Sequence, residues 1–276
     1  MPEGDTIYRA ARTLHTALAG HVVTRFETGL AQLAHVDREE PIAGRTVEQV
    51  AAAGKHLLMT LSGELVLRTH MRMNGSWHIY RPGERWQMSP RAVRILIETG
   101  DWLAVAFNVH VAEFVRSDRL DRHRTLATLG PDLLGEFDPA QALLRVRRHG
   151  ARAMHDVLLD QRLMAGIGNV YKSEVLFLAR VHPDTPARSV NDDEWLALMD
   201  LARKLLKANV AESSGPGIET YRGLRRTTGR RSSAERLWVY GRGAQPCRKC
   251  GTTIASRKDG DDARVTYWCP NCQPMR

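Results

Sequence analysis

No run in this chain approaches the roughly twenty consecutive apolar residues that a membrane-spanning helix needs, so a helical membrane protein is not expected. The opening, Met1-Pro2-Glu3-Gly4-Asp5-Thr6, has neither the basic n-region nor the apolar h-region of a secretory signal. A cytoplasmic protein is therefore expected, nucleoid-associated if bacterial. Internal repeats and low-complexity tracts are absent too, and the 43% hydrophobic content is that of globular domains with real cores. Cysteine is scarce, with four in 276 residues. Acidic residues are outnumbered, 31 Asp and Glu against 40 Lys and Arg, for a formal net charge of +9. A basic soluble chain most often meets a polyanion, and nucleic acid is expected rather than a membrane surface.

The scarce cysteines carry the strongest local signal. They stand as Cys247-Arg-Lys-Cys250 and Cys269-Pro-Asn-Cys272. Two C-x2-C knuckles at this separation can fold over a single Zn2+ as a four-thiolate tetrahedral site. Such a site is structural, since four protein ligands leave no open position for chemistry. Two disulfides are the alternative pairing, which a reducing compartment disfavours. A ribbon this short cannot bury enough apolar surface to fold unaided, so metal binding would supply its folding energy. Its span holds Arg248, Lys249, Arg257, Lys258 and Arg264, with Tyr267 and Trp268, the make-up of a nucleic-acid clamp.

Upstream, Ile7, Ala10, Ala11, Leu14 and Leu18 recur at helical spacing, predicting a helix from Asp5, as N-cap, to Ala19, with Gly20 as its stop. The period then shortens. His21–Glu27, Thr46–Ala51, His56–Leu61, Leu65–His70, Ser76–Tyr80, Val93–Thr99 and Trp102–Phe107 read as strands punctuated by glycine, predicting an antiparallel β-sandwich. Helical periodicity returns over Asp138–Arg148, Ala151–Met164, Asn169–Leu178 and Asp192–Val210. Gly166-Ile-Gly168-Asn169 is a tight turn feeding a helix N-terminus, where free N–H groups can receive an anion. From Ser213 to Gly243 the chain is polar and basic, with Arg222, Arg225, Arg226, Arg230, Arg231 and Arg236. Thr227–Ser233 within it reads either as a solvated linker or as a loop that orders over a bound base.

Met1-Pro2-Glu3-Gly4, Gly54-Lys55-His56-Leu57, Gly130-Pro131-Asp132, Gly166-Ile-Gly-Asn169-Val-Tyr171, Val239-Tyr240-Gly241-Arg242 and the four-cysteine ribbon occur in that order across the whole chain. The set resembles the formamidopyrimidine-DNA glycosylase/endonuclease VIII family of base-excision repair enzymes. The resemblance implies an α+β multidomain protein: an N-terminal helix plus antiparallel β-sandwich (1–131), a helical helix-two-turn-helix domain with a basic loop (132–240) and a C-terminal four-cysteine zinc ribbon (241–276). It implies a monomer that acts on damaged DNA as a bifunctional glycosylase and AP lyase, with one structural zinc and no diffusible cofactor.

Residue by residue, the resemblance makes Pro2 the nucleophile once Met1 is removed, Glu3 the adjacent acid, and Lys55 a phosphate-touching lysine that assists elimination. Asn169 and Arg264 would grip phosphates around the flipped nucleotide, with His70 and Tyr240 as further backbone contacts. Arg72-Met73-Asn74 matches the wedge that fills the gap left by the flipped base; the alternative makes Met73 a core residue of a strand. The chemistry is coherent. A free secondary amine can attack C1′ of a nucleoside and form an iminium, which an acylated proline nitrogen cannot. The iminium acidifies the 2′ hydrogens and permits β-elimination, and a second elimination would release the other phosphate.

The chain departs from the pattern in places. The formamidopyrimidine branch carries an Arg and a Phe in a loop that here reads Phe107-Asn108-Val109-His110-Val111-Ala112-Glu113-Phe114. The opening Pro-Glu-Gly also resembles the endonuclease VIII branch, so oxidised pyrimidines are expected over 8-oxoguanine-type purines. Asp5-Thr6 replaces the usual Pro-Glu, and Thr128 stands where endonuclease VIII has a phosphate-binding arginine. A catalytically silent binder of damaged DNA with the same fold is the competing expectation, and a zinc-ribbon transcription or replication accessory a third.

Overall fold

The computed structural model describes residues 2–211, 225–230, 232–259 and 264–275. Met1, Arg222 and Arg231 lie outside the described residues. By its contacts the chain divides into two units, with the break between Thr128 and Leu129.

In the first unit, the apolar stripe Ile7, Ala10, Ala11, Leu14 and Leu18 makes the helix α1 (Gly4–Leu18) and buries it. The N-cap is Glu3, not Asp5: the Glu3 carbonyl accepts from the Thr6 and Ile7 N–H groups at 2.9 and 3.1 Å. Asp5 sits inside the first turn, fully buried. Gly20, at φ +83, ends the helix in the left-handed conformation that favours glycine.

Eight strands follow: β1 (Arg25–Thr28), β2 (Val47–Ala53), β3 (His56–Leu61), β4 (Leu65–His70), β5 (Ser76–Tyr80), β6 (Val93–Glu98), β7 (Leu103–Phe107) and β8 (Val111–Arg116). They form two antiparallel sheets, ordered β1-β6-β7-β5 and β2-β3-β4-β8. Leu57, Met59, Leu61, Leu65 and Leu67 of one sheet share a core with Trp77, Ile79, Ile95, Ile97, Ala104 and Ala106 of the other. Each large side chain so buried contributes about 1.5–3 kcal/mol. The second face of the β1-β6-β7-β5 sheet is also covered. Trp86, Met88, Ala92 and Val93 lie against Tyr80, Leu96, Leu103, Val105 and Phe107, which is why β5 and β7 are buried at every position.

Two elements here were not expected. The helix α2 (Ala31–Glu39) buries only Leu33 completely, so its sequence carries no apolar stripe. Strand β8 follows β7 after Asn108, Val109 and His110, with Asn108 turning the chain at φ 54.

The second unit contains α3 (Pro139–Arg147), α4 (Met154–Val157), α5 (Asn169–Leu178) and α6 (Asp192–Ala211), then a hairpin of β9 (Ala255–Asp259) and β10 (Arg264–Trp268). Asp138 caps α3, accepting from the Ala140 and Gln141 N–H groups. The helix expected over Ala151–Met164 is reduced to the single turn α4. The Asp160 carboxylate accepts from the Arg162 backbone N–H at 3.1 Å and from the Arg152 and Arg162 guanidinium groups. A local side-chain turn thus replaces the helical ladder.

Candidate active site and metal centre

In the first unit, Pro2 and Glu3 are both buried and lead directly into α1, with Glu3 at its N-cap. The positive end of the helix dipole therefore faces this dipeptide. Lys55 follows Gly54 in the two-residue hairpin between β2 and β3, closed by the Ala53–His56 pair. Gly54 has φ +58, the conformation such tight turns require. Lys55 is half-buried.

Next to Lys55 lies a cluster of which the sequence singled out His70 and Arg72, with His56 a motif letter. His56 and His70 are cross-strand partners with ring centroids 4.9 Å apart. Burial holds His56 down at about 3 and His70 at about 4, reinforced by Arg68 and Arg72, and for His70 by Lys55. Both rings are neutral at physiological pH. His70 Nδ1 accepts from the Arg72 N–H at 3.1 Å, so its proton resides on Nε2 as a donor. Behind them Arg68 is buried and bonded to Glu113 at 2.6 Å, and His123 lies 3.0 Å from the same carboxylate oxygen.

Arg72, Met73 and Asn74 form the exposed tip between β4 and β5. Met73 is 61% exposed, so it is not a core residue of a strand. Arg72 sits at φ 50, and the tip closes by Gly75 N–H donating to the Met71 carbonyl at 2.8 Å. A side chain at Gly75 would collide with that carbonyl.

In the second unit, Asn169 is the first residue of α5, after Gly168, and is buried with its Oδ1 unpartnered. Gly166, at φ +112, makes the turn that delivers it. Arg264 opens β10 opposite Asp259 and is exposed. The Tyr240 ring meets Tyr267 edge-on at 5.2 Å.

Sequence reasoning missed Glu174 and Lys172. Helix α5 is buried all round from Asn169 to Phe177, and charged side chains in such a helix must be paired. Two charges among the apolar residues Val170, Val175, Leu176, Phe177 and Leu178 were the available signal. Glu174 is fully buried and accepts from the Trp238, Val239 and Tyr240 N–H groups, each at 2.8 Å, and from the Thr227 hydroxyl. Burial pushes its pKa up against those hydrogen bonds. The carboxylate pins residues 238–240 to α5, and Thr227 is anchored rather than solvated.

The four cysteine sulfurs lie within 4.8 Å of one another. Cys247–Cys272, Cys250–Cys269 and Cys250–Cys272 are 3.9, 3.5 and 3.5 Å apart. A disulfide requires about 2.05 Å, whereas a tetrahedron of zinc–sulfur bonds of about 2.3 Å has edges near 3.8 Å. The donor set fits zinc and not two disulfides. Its electrostatics agree: hydrogen bonds from Thr252 and Asn271 hold Cys250 down at about 5, while burial pushes Cys269 and Cys272 up. A cation is what allows all four thiols to ionise together.

Known proteins share both fold and motifs. Residues 1–109 match the formamidopyrimidine-DNA glycosylase N-terminal domain, 129–220 its H2TH domain, and 244–274 the zinc finger found in FPG and IleRS. The "Probable endonuclease 8 2" of Streptomyces coelicolor is 44% identical over 99% of this chain and 94% of its own length. The chain belongs to the formamidopyrimidine-DNA glycosylase/endonuclease VIII family. A second family member, the "DNA-(apurinic or apyrimidinic site) lyase Nei2" of Mycolicibacterium smegmatis, is 36% identical over 99% of both chains. The Fpg of Lactococcus lactis, solved in complex with DNA, shares the fold with a TM-score of 0.83 at 22% identity, covering 99% of this chain and 100% of its own. The family zinc finger and the sulfur geometry together assign one structural zinc to Cys247, Cys250, Cys269 and Cys272.

Proposed function

We propose that this protein is a bifunctional DNA glycosylase and AP lyase of base-excision repair whose nucleophile is the secondary amine of Pro2, exposed by removal of Met1. The observation that carries the reading is the placement of Pro2, buried and directly ahead of Glu3 at the N-cap of α1. The helix dipole disfavours the protonated amine there. The amine attacks C1′, the damaged base departs, and an iminium joins Pro2 to the opened sugar. Glu3 handles the proton at O4′ or at the amine. Loss of a 2′ proton from the iminium then breaks the 3′ C–O bond, and a second elimination releases the 5′ phosphate. Lys55 and neutral His70 donate to phosphates in the first unit, as Asn169, Tyr240 and Arg264 do in the second. Met73 fills the gap left by the flipped nucleotide, between Arg72 and Asn74. Zinc holds the hairpin that carries Arg264 and takes no part in bond breaking.

Oxidised pyrimidines are the favoured substrates. Two features support this: the relative named endonuclease 8, and a β7–β8 connection that offers only Asn108, Val109 and His110. No helix among the described residues is long and apolar enough to cross a membrane, and we assign the protein to the cytoplasm as a monomer. Its functional segments are 1–131, 132–240 and 241–276. Pro2→Gly tests the chemistry. A primary amine is a poorer substitute, so nicking of lesion duplex should fall by at least about tenfold, on the order of 1.4 kcal/mol of barrier, with lesion binding retained. Nicking at the unaltered rate would rule Pro2 out.

A further inference from the structure

Lys172 is fully buried, and the chemistry above does not use it. It lies on α5 one turn beyond Asn169, and its Nζ donates to Thr266 Oγ1 at 2.6 Å. Thr266, also fully buried, donates its own hydroxyl proton to Asp259 Oδ2. The other Asp259 oxygen accepts from Arg257 Nε at 2.6 Å, and the Arg257 guanidinium clamps both oxygens of Asp184 at 2.6 and 2.9 Å. A polar chain thus runs from α5 through both strands of the zinc hairpin and back to the loop that follows α5.

Side chains alternate along a strand, so Thr266 shares a face of β10 with Arg264, two residues away. A slip of one residue would send Arg264 to the opposite face. An apolar side chain at 172 could fill the same volume, but it could not select one register. A charge-assisted hydrogen bond has direction and does. The hydrogen bond to Thr266 offsets part of the cost of burying the ammonium.

We propose that Lys172 and Thr266 are positioning residues that lock β10 against α5, fixing Arg264 in register with the Asn169 end of the helix. Helix and hairpin then act as one phosphate-gripping arm. This rests on the assignment of Arg264 to a phosphate made above.

The test is the salt dependence of binding to a duplex carrying a tetrahydrofuran abasic analogue, with zinc content measured on the same samples. Arg264→Ala removes one phosphate contact and lowers the log–log slope by about one. Thr266→Val keeps the shape of the side chain and loses the hydroxyl. It should lower the slope by the same amount, about one, with zinc retained. Thr266→Ser should restore the slope, and Thr266→Val combined with Arg264→Ala should lower it no further than Arg264→Ala alone. Lys172→Met should match Thr266→Val; if it does not fold, the threonine series decides. A merely structural defect reduces the bound fraction without moving the slope. A normal slope in Thr266→Val beside a reduced one in Arg264→Ala would overturn the positioning role. An unchanged slope in Arg264→Ala would instead overturn the phosphate assignment, and this inference with it.

Discussion

His56 and His70 carry neutral rings tilted at 58° to one another with centroids 4.9 Å apart, and their titration gives this unit a pH dependence. Their folded values, about 3 and about 4, lie below the ordinary value of 6.5. The unfolded chain therefore binds more protons than the folded one once the pH drops below 6.5. The stability they contribute is complete above that value and is lost as pH falls through the folded values. His56 alone contributes a slope of up to about 1.4 kcal/mol per pH unit within that window. Denaturant unfolding between pH 7 and pH 4 should show a steep loss that His56→Gln flattens, and equal slopes in the two proteins would contradict the account. At this scale the residue types quoted in motifs were legible: Pro2, Glu3, Lys55, Asn169 and the cysteines are motif letters. Arg68, Glu113 and His123 were not, because their partnership depends on the pairing of β4 with β8. Met73 could be read either as core or as tip, and its exposure alone separates the two.

Among the elements, β3, β4, β5 and α5 follow the bounds that their periodicity and flanking glycines suggest. The failures have local causes. Helix α2 buries too little for a stripe, and over Ala151–Met164 the Asp160 side chain competes with the helix for backbone donors. The β9–β10 hairpin presents a different balance. Its strands are short, with only Thr266 fully buried, so metal binding adds to the small apolar cluster of Phe177, Val239 and Ile254 in holding the ribbon together. Chelation of the metal should unfold the ribbon and lower affinity for lesion duplex by at least about tenfold, on the order of 1.4 kcal/mol. The β-sandwich unit should remain folded, read by the near-ultraviolet signal of Trp77, which is buried in its core. Metal-free protein with undiminished affinity would show that the hairpin does not serve binding.

For the whole molecule, the residues of the proposed mechanism fall in both units. The first carries Pro2, Glu3, Lys55, the histidine pair and the Met73 tip. The second carries Asn169, Tyr240, Arg264 and the zinc centre. The order of motifs along the chain is legible in the sequence. What it could not convey was how the second unit is joined internally, since Glu174 and Lys172 act through partners roughly sixty and ninety residues away in the sequence. All of the proposed chemistry passes through a covalent link between the Pro2 nitrogen and the deoxyribose of the lesion. Borohydride reduction during turnover of an abasic-site duplex measures that link directly. A stable protein–DNA cross-link is expected on a denaturing gel, mapping to the peptide that begins at Pro2. Processed protein that nicks the duplex yet yields no cross-link, or one that maps to another residue, would contradict the proposed chemistry.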